Sequence, residues 1–368
     1  MTPRAISFWI KSRLAHLDPI LLGLALALLV VSTAVVYSAS GQSAPRLYGH
    51  LLNIALAVAV LVVVANVPPH LLARVGPPLY VLGVVLLVAV ALFGEVRNGS
   101  RRWLSLGVVA FQPSEMMKLA LPLMLAWYFQ RNEAVLRLAH YGVAALLIAL
   151  PLILILRQPD LGTALLIAAS GFYLLFFAGL PWKIIAGVAA AALASLPLAW
   201  HFLHGYQRQR ILTLLDPSSD PLGAGYHIIQ STIAIGSGGL FGDGWLKGTQ
   251  NQLNFIPERT TDFIFAVFGE EFGYFGVLLL IALYVGIVAR GLVIAARAPT
   301  LFGRLMAATV SLNFFTYVFV NMGMVSGILP VVGVPLPLMS YGGTALITLM
   351  LGLGIVMSVA THRQLNRS

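Results

Sequence analysis

Long apolar stretches dominate the hydrophobic pattern of the chain. Ten of them hold about 20 mostly apolar residues each, and the polar residues gather in the segments between them. A helix of about 20 residues crosses the roughly 30 Å hydrocarbon core of a bilayer. The pattern therefore predicts ten membrane-spanning helices, over roughly 19–39, 49–67, 77–94, 113–130, 139–156, 162–180, 183–203, 263–289, 304–324 and 339–360.

Two of the connecting segments differ from the short loops. Residues 204–262 are too polar to span and are predicted to form a large extracytoplasmic loop between helices 7 and 8. Residues 325–343 are apolar but punctuated by Gly and Pro. Since non-helical backbone cannot face lipid with its polar groups unpaired, this segment is predicted to be re-entrant before helix 10. Residues 1–368 are thus predicted to form one all-α polytopic membrane domain.

Composition agrees with this prediction and excludes several function classes. Hydrophobic residues make up 59% of the 368 residues and charged residues only 9%, against about 25% charged in soluble domains. The absence of Cys excludes disulfides and thiolate metal sites. The net charge of +10 suits anionic membrane lipids. No basic patch is interleaved with stacking aromatics, so nucleic acid is not an expected partner.

The distribution of Lys and Arg predicts the orientation of the chain. Twelve of these residues lie in segments on the side of the N-terminus, and five lie in short loops on the opposite side. Positively charged loops stay in the cytoplasm. Both termini are therefore predicted to be cytoplasmic, with the 204–262 loop outside.

Several cations lie on the outer side, where positive charge is otherwise rare. Arg101 and Arg102 stand beside Trp103, and Arg208 and Arg210 lie in the long loop. Guanidinium groups match phosphate geometry, and an indole offers a flat apolar face to a sugar or a lipid. The pattern favours binding of an anionic, lipid-linked ligand. The alternative is a loop that simply tolerates charge.

Glu115 and Lys118 lie inside the predicted helix 113–130. Their i,i+3 spacing puts them on one face, so they can form an ion pair. Such a pair either locks helices together or forms part of a polar cavity wall in which Lys118 meets a phosphate. The two roles are compatible.

The stretch "ERTTDFIFAVFGEE" places carboxylates around the start of the predicted eighth helix. Asp262 lies at the outer rim, where a mere helix-terminal charge contributes under about 1 kcal/mol. Glu270 lies about 12 Å deeper, which capping does not explain. For transfer from a sugar diphosphate, whose leaving group needs only cations, one general base is sufficient.

Seven ordered motifs carry a family resemblance along nearly the whole chain. They are "GSRRWLSLG", "FQPSEMMKLA", "QPDLGT", "YQRQRILTLLDPSSDPLGAGYHIIQS", "IAIGSGGLFGDGWLKGTQ", "IPERTTDFIFAVFGEE" and "GILPVVGVPLPLMSYGG". Together they resemble the SEDS proteins (shape, elongation, division and sporulation). Within that family, "DPLGAGYH", "GWLKGTQ" and the short tails resemble the elongation members rather than the division members.

The resemblance implies a ten-helix peptidoglycan glycosyltransferase of the bacterial inner membrane that polymerises lipid II, the undecaprenyl-diphosphate-linked disaccharide peptide. Asp262 is implied as the catalytic carboxylate, and Trp103, Glu115, Lys118 and Glu270 as functionally sensitive residues. The implied partner is a class B penicillin-binding protein that crosslinks the new glycan. A divalent cation, Mg²⁺ or Mn²⁺, is compatible with the family, and no other cofactor is expected.

Two other function classes fit part of the pattern. A lipid II flippase also needs ten helices, an intramembrane ion pair and a re-entrant segment, but has less use for a carboxylate at the outer rim than at the midplane. A non-catalytic scaffold for the penicillin-binding protein needs no buried polar residues. The sequence favours the polymerase.

Overall fold

A computed structural model describes residues 17–97, 100–105, 110–158, 160–202, 205–221 and 223–365, mostly as helices. In chain order the helices are α1 (Pro19–Ala39), α2 (Ala44–Ala65), α3 (Pro69–Phe93), α4 (Pro113–Arg131), α5 (Leu138–Leu156), α6 (Leu161–Phe177), α7 (Trp182–Phe202), α8 (Gly205–Leu215), α9 (Ala224–Ser237), α10 (Thr249–Gln252), α11 (Ile264–Ala296), α12 (Leu301–Val325) and α13 (Gly343–Leu365). Short 3₁₀ turns cover Glu133–Val135 and Pro217–Ser219.

Seven helices in this part of the chain are long and apolar enough to cross a membrane: α1, α2, α3, α5, α11, α12 and α13. Helix α6 and the first part of α7 are apolar but shorter, and α4 carries the predicted charged pair. The prediction of an all-α, multi-pass membrane protein is confirmed. Each of the ten predicted stretches contains a helix, but that all ten cross the bilayer stays a prediction.

The interior of the bundle is built around α12. This helix packs against α4, α6, α9, α11 and α13, while α13 packs along α2 and α3 along α4. Apolar side chains such as Val63, Val81 and Leu146 remain exposed on α2, α3 and α5. Such exposure is expected where lipid, rather than water, covers the helix.

Helix α3 begins earlier than the predicted start at residue 77. It continues through Pro77 and Pro78, although proline removes a backbone hydrogen bond from a helix. Spanning helices tolerate proline where neighbouring helices support the interruption. Here α4 lies very close, since a β-carbon on Gly76 would stand 2.8 Å from the Leu123 carbonyl oxygen.

A small antiparallel sheet between α3 and α4 was not predicted. Its strands β1 (Glu95–Arg97), β2 (Ser100–Ser105) and β3 (Ala110–Phe111) follow in sequence order. Glu95 pairs with Trp103, and Leu104 pairs with Phe111. The strands are too short for a recognisable alternation of polar and apolar residues. Strand β2, which carries the "SRRW" motif, packs against α3 and α4.

The apolar segment between α12 and α13 is non-helical, as predicted, and its backbone is paired within the protein. Asn321 Nδ2 donates to the Val334 carbonyl at 2.7 Å, and the Tyr284 hydroxyl donates to the Pro337 carbonyl at 2.7 Å. The Ser32 hydroxyl donates to the carbonyl of Met339. Side chains from three helices therefore replace the backbone partners that this segment lacks.

Helix α11 is interrupted at Gly273, whose φ of 64° and ψ of −166° are not helical. The loop that follows α9 forms hydrogen bonds with the helix at this interruption. Tyr274 N donates to the Gly239 carbonyl at 2.9 Å, and Asp243 N donates to the Glu270 carbonyl at 3.0 Å. A β-carbon on Gly273 would stand 2.3 Å from the nitrogen of Gly242. Only glycine satisfies both the positive φ and this close approach.

Candidate active site around Asp262

Asp262 ends a tight turn that leads into α11. The amides of Thr261 and Phe263 both donate to the Glu258 carbonyl, at 3.0 and 3.2 Å. The segment between α12 and α13 also holds this turn, because the Ser340 hydroxyl donates to the Thr261 carbonyl at 2.6 Å. From α12, Asn321 Nδ2 donates to the carbonyl of Asp262 at 2.7 Å. The turn is thus fixed through its backbone.

The carboxylate of Asp262 is left available. It accepts no hydrogen bond from the described residues, and α11 has no side-chain cap, so Asp262 does not cap that helix. The carboxylate lies against the backbone of Gly333, where a β-carbon would stand 3.5 Å from Asp262 Oδ2. Gly333 has a φ of +74° and leaves open the space that a side chain would fill.

The surroundings of Asp262 favour its protonated form. Burial raises the pKa of Asp262 to about 6, and the nearby charge of Glu258 contributes to the same shift. Both effects disfavour the carboxylate, the first by desolvation and the second by repulsion. A base with a pKa this close to neutral suits proton abstraction from a hydroxyl.

His227 of α9 is a neighbour that the sequence analysis missed. Its ring packs on that of Phe263, with centroids 5.2 Å apart, and its Nδ1 is buried without a hydrogen-bond partner among the described residues. Burial lowers the pKa of His227, against the opposing influence of Glu258 and Asp220. A single His on an amphipathic helix has no spacing that would have identified it.

Glu115 and Lys118 form the predicted ion pair inside the bundle. Lys118 Nζ lies 2.6 Å from Glu115 Oε1 and 5.2 Å from the ring centre of Tyr317. The second carboxylate oxygen of Glu115 is buried and has no partner in the described part of the protein. The pair is well placed to link α4 with α12. Its contact with a substrate phosphate stays a prediction.

The carboxylate of Glu270 faces the loop before the Asp262 turn rather than an open cavity. It accepts from the amides of Gln250 and Asn251 at 2.6 and 3.1 Å and from the Thr249 hydroxyl at 3.4 Å. Glu270 is completely buried. Its observed contacts support the start of α10, and a role in binding substrate stays a prediction.

Comparisons with known proteins identify the family of this fold. A family model described as "Cell cycle protein", covering FtsW, RodA and SpoVE, matches residues 16–365. The chain is a SEDS protein. It is 55% identical to the peptidoglycan glycosyltransferase MrdB of Escherichia coli over 99% of this chain and 98% of the relative. With the probable peptidoglycan glycosyltransferase FtsW of Idiomarina loihiensis it shares 36% identity, over 95% of this chain and 88% of the relative.

Solved structures show the same SEDS fold. One chain from a structure described as "Structural coordination of polymerization and crosslinking by a peptidoglycan synthase complex" matches with a TM-score of 0.82 and 37% identity, covering 94% of this chain and 98% of that one. The crystal structure of RodA from Thermus thermophilus matches with a TM-score of 0.71 and 31% identity, covering 94% and 97%. The predicted family and enzyme class, a glycosyltransferase, are confirmed.

In the "SRRW" motif of this SEDS protein, Arg102 is held by contacts within the protein. Arg102 Nε donates to the Gln158 carbonyl at 3.2 Å, and its Nη1 lies 3.9 Å from Asp160 Oδ1. Trp103 is half-buried in β2. The side chain of Arg101 lies outside the described residues. A substrate role for these three residues stays a prediction.

Arg208 and Arg210 lie on α8, which packs against α9 and therefore against the helix of His227. Arg208 Nη2 donates to the carbonyl of His201 at 2.7 Å, across the connection between α7 and α8. The structure thus brings the helix of both cations next to the helix of His227. Their binding of a diphosphate stays a prediction.

Metal binding has no evident protein site in the ranges that the structure describes. Nowhere in them do three or more His, Asp or Glu side chains come together as candidate ligands. The acid whose charge acts on Asp262 is Glu258, and the two carboxylates do not form a closed coordination shell. The predicted divalent cation would need ligands from its substrate.

A cavity of about 840 Å³ is lined by residues of α9, α11 and α12, and Asp262 is not among its lining residues. Apolar residues line it, among them Tyr274, Ile281, Val285, Phe315 and Phe319. Because it holds no titratable carboxylate or cation, it offers nothing for proton transfer. The chemistry of the protein is therefore expected at the Asp262 turn and not in this apolar cavity.

Proposed function

We propose that this SEDS protein polymerises lipid II into peptidoglycan strands during cell elongation, with Asp262 as the general base. The observation that carries the proposal is a carboxylate without a hydrogen-bond partner in the described structure, held on a rigid turn, whose pKa is raised to about 6. The names of the relatives, peptidoglycan glycosyltransferases, supply the reaction class. The residues supply the means of proton transfer.

The proposed step is an inverting glycosyl transfer. Asp262 takes the proton from a sugar 4-hydroxyl, and that oxygen bonds to the anomeric carbon of the donor. The bond from this carbon to the diphosphate breaks, and undecaprenyl diphosphate leaves with the electron pair. Cations stabilise the departing charge. Those proposed for this role are Lys118, Arg101, Arg102, Arg208 and Arg210.

We place this reaction at the outer face of the bacterial inner membrane, on one domain formed by residues 1–368. Ten helices span in this proposal, both termini lie in the cytoplasm, and the 204–262 loop lies outside. The internal pairing of the segment between α12 and α13 supports its proposed re-entrant position. A protected backbone there gives the Asp262 turn a fixed wall at the membrane edge.

We also propose that the chain works with a class B penicillin-binding protein, which crosslinks the strands that it makes. The structural neighbour with a TM-score of 0.82 belongs to a peptidoglycan synthase complex described as coordinating polymerization and crosslinking. This chain covers 98% of that neighbour, so it retains the part of the fold available to such a partner.

The test of this function is the purified protein supplied with lipid II in detergent. We expect glycan strands resolved by gel electrophoresis, together with release of undecaprenyl diphosphate. A parallel assay in liposomes follows movement of labelled lipid II between leaflets. Lipid movement without strands would instead establish the flippase. If neither activity is observed, the scaffold is the remaining function.

The raised pKa of Asp262, to which the charge of Glu258 contributes, predicts the pH dependence of polymerisation. Asp262 must be ionised to act as a base, so the rate is expected to fall as the pH drops below about 6. Removing the neighbouring negative charge with Glu258→Gln should lower the pKa of Asp262 and move this acid limb to lower pH. The measurement is the initial rate of strand formation between pH 4.5 and 8.

Glu133→Gln provides the matched control, because Glu133 pairs with Arg304 and has no contact with the Asp262 turn. Its acid limb should coincide with that of the unchanged protein. Gln at residue 258 keeps an acceptor for the Thr261 hydroxyl, which Glu258 Oε2 now receives at 3.0 Å. An acid limb that stays in place in Glu258→Gln would contradict the assignment of Asp262 as the titrating base.

A further inference from the structure

Two guanidinium groups near the Asp262 turn influence each other electrostatically and lie outside the set of cations predicted from the sequence. Arg259 belongs to the turn itself, and Arg46 lies in the first turn of α2. Arg259 Nη2 lies against the connection between α1 and α2, where a β-carbon on Gly41 would stand 3.8 Å from it. Arg46 follows this connection in the chain, and its charge acts on Arg259.

Arg259 is held in position by its other terminal nitrogen. Nη1 donates to the carbonyl of Asn251, whose own amide nitrogen donates to Glu270 at 3.1 Å. The side-chain amide of Asn251 donates to the Ser38 hydroxyl at 3.2 Å. The Arg259 guanidinium is therefore fixed by the protein, while Nη2 and Nε keep donors for another group.

No acid balances these two charges in the part of the chain that the structure describes. Neither Arg46 nor Arg259 forms an ion pair with a carboxylate there. Burial lowers the pKa of Arg259, and the charge of Arg46 lowers it further. Arg46 also stands at the positive end of the α2 dipole, which is unfavourable for a cation. An anion bound between the two groups would offset the repulsion between them and the unfavourable position of Arg46 at the helix dipole.

Tyr341 brings a hydroxyl to the same end of α2, and Arg46, Arg259 and Tyr341 are together called the Arg46 recess. Tyr341 follows the segment that walls the site, and its amide donates to the Thr260 carbonyl at 2.8 Å. Its hydroxyl reaches α2 one turn after Arg46, since a β-carbon on Gly49 would stand 3.2 Å from it. The phenol ring also packs near His50, with centroids 5.9 Å apart. Two fork-shaped cations and one hydroxyl suit the oxygens of a phosphate group.

We propose that Arg46, Arg259 and Tyr341 form a binding site for the diphosphate of a lipid-linked sugar. This inference rests on the proposed polymerase function. A polymerase of this kind joins two lipid-linked molecules, and each carries its own diphosphate at the membrane surface. One cation set, Arg208 and Arg210 with the "SRRW" motif, serves one diphosphate, and the Arg46 recess serves the other.

The test counts bound undecaprenyl diphosphate on the full-length protein by native mass spectrometry in detergent, without any sugar substrate. The unchanged protein is expected to retain two copies. Arg46→Gln should retain one, with the affinity for the second copy reduced at least about tenfold, as for the loss of a charged hydrogen bond. Arg46 is exposed and its side chain has no hydrogen bond or ion pair among the described residues, so its replacement should not destabilise the fold.

Arg157→Gln is the matched control, since Arg157 is also exposed and stands at the end of α5. This variant should retain two copies. Equal retention by Arg46→Gln and the unchanged protein would overturn the proposal. A parallel titration with phosphatidylglycerol separates the two sources of phosphate: if Arg46→Gln loses only that lipid, the recess holds a phospholipid headgroup and the proposal is wrong.

The same count on Asp262→Asn separates this inference from the proposed function. Binding requires no turnover, so the dependence on Arg46 should persist there. A protein that binds two copies through Arg46 yet makes no strands would retain the site and lose the polymerase. If the unchanged protein makes strands but Arg46→Gln still binds two copies, the polymerase function stands and the proposed Arg46 site is wrong.

Discussion

Asp262→Asn is expected to abolish strand formation while leaving the fold intact. General-base catalysis contributes about 10²- to 10⁴-fold, and an amide cannot take the proton. The contacts that hold this residue are made by its backbone carbonyl, which accepts from Asn321, so the substitution removes none of them. The rate of strand formation from lipid II is the measurement, with thermal unfolding of the same sample recorded alongside.

Asp243→Asn provides a control of the same chemical change in the same outer loop. Asp243 is exposed, and its described hydrogen bond is made by its backbone amide to Glu270. Its rate should stay close to that of the unchanged protein. Strands formed at the normal rate by Asp262→Asn would mean that another group is the base and that the proposed mechanism is wrong.

The second large effect is expected in the stability of the Glu115–Lys118 pair. Replacing either residue with Ala leaves the other charge buried without its partner, which typically costs about 3–5 kcal/mol. Replacing both removes the stranded charge. The double variant should therefore be more stable than the sum of the two single changes implies. The shift in unfolding temperature of each purified variant in detergent measures this difference.

The Glu133–Arg304 pair is the natural comparison, since its atoms are 3.5 Å apart and both side chains are about half exposed, 51% and 52%. Exposed pairs contribute about 0–1 kcal/mol. Single and double changes there should add. If the Glu115–Lys118 cycle is equally additive, the two residues do not act as one unit.

The helices could be predicted because lipid imposes one requirement on the whole pattern. A segment that crosses it must be apolar for about 20 residues, and this requirement is visible without knowing any neighbour. Within the polar loop 204–262, apolar residues recur at helical spacing from Tyr226 to Ile233, and α9 covers this stretch. Strands β1 to β3 were missed because their stability comes from pairing across loops, which a local pattern does not record.

The candidate site was predictable where a charge was out of place in an apolar chain. Asp262 and the Glu115–Lys118 pair stand out for this reason. Asn251, by contrast, is an ordinary polar loop residue until the fold brings its carbonyl to Arg259. The role of Glu270 as an acceptor for the Gln250 amide also depends on a contact between distant parts of the chain.

The interruption at Gly273 divides α11 into a short first part and a longer part that can span the membrane. Beyond it, the helix from Tyr274 to Ala296 measures about 34 Å at 1.5 Å per residue, enough to cross the hydrocarbon on its own. The preceding turns carry both Glu270 and Glu271 and are wrapped by the loop that docks on the interruption. A charged residue at the bilayer centre costs about 2.5–3.5 kcal/mol on insertion scales. Membrane insertion of α11 therefore requires neither carboxylate to enter the hydrocarbon, because both are buried in the turns that precede the part of the helix long enough to span.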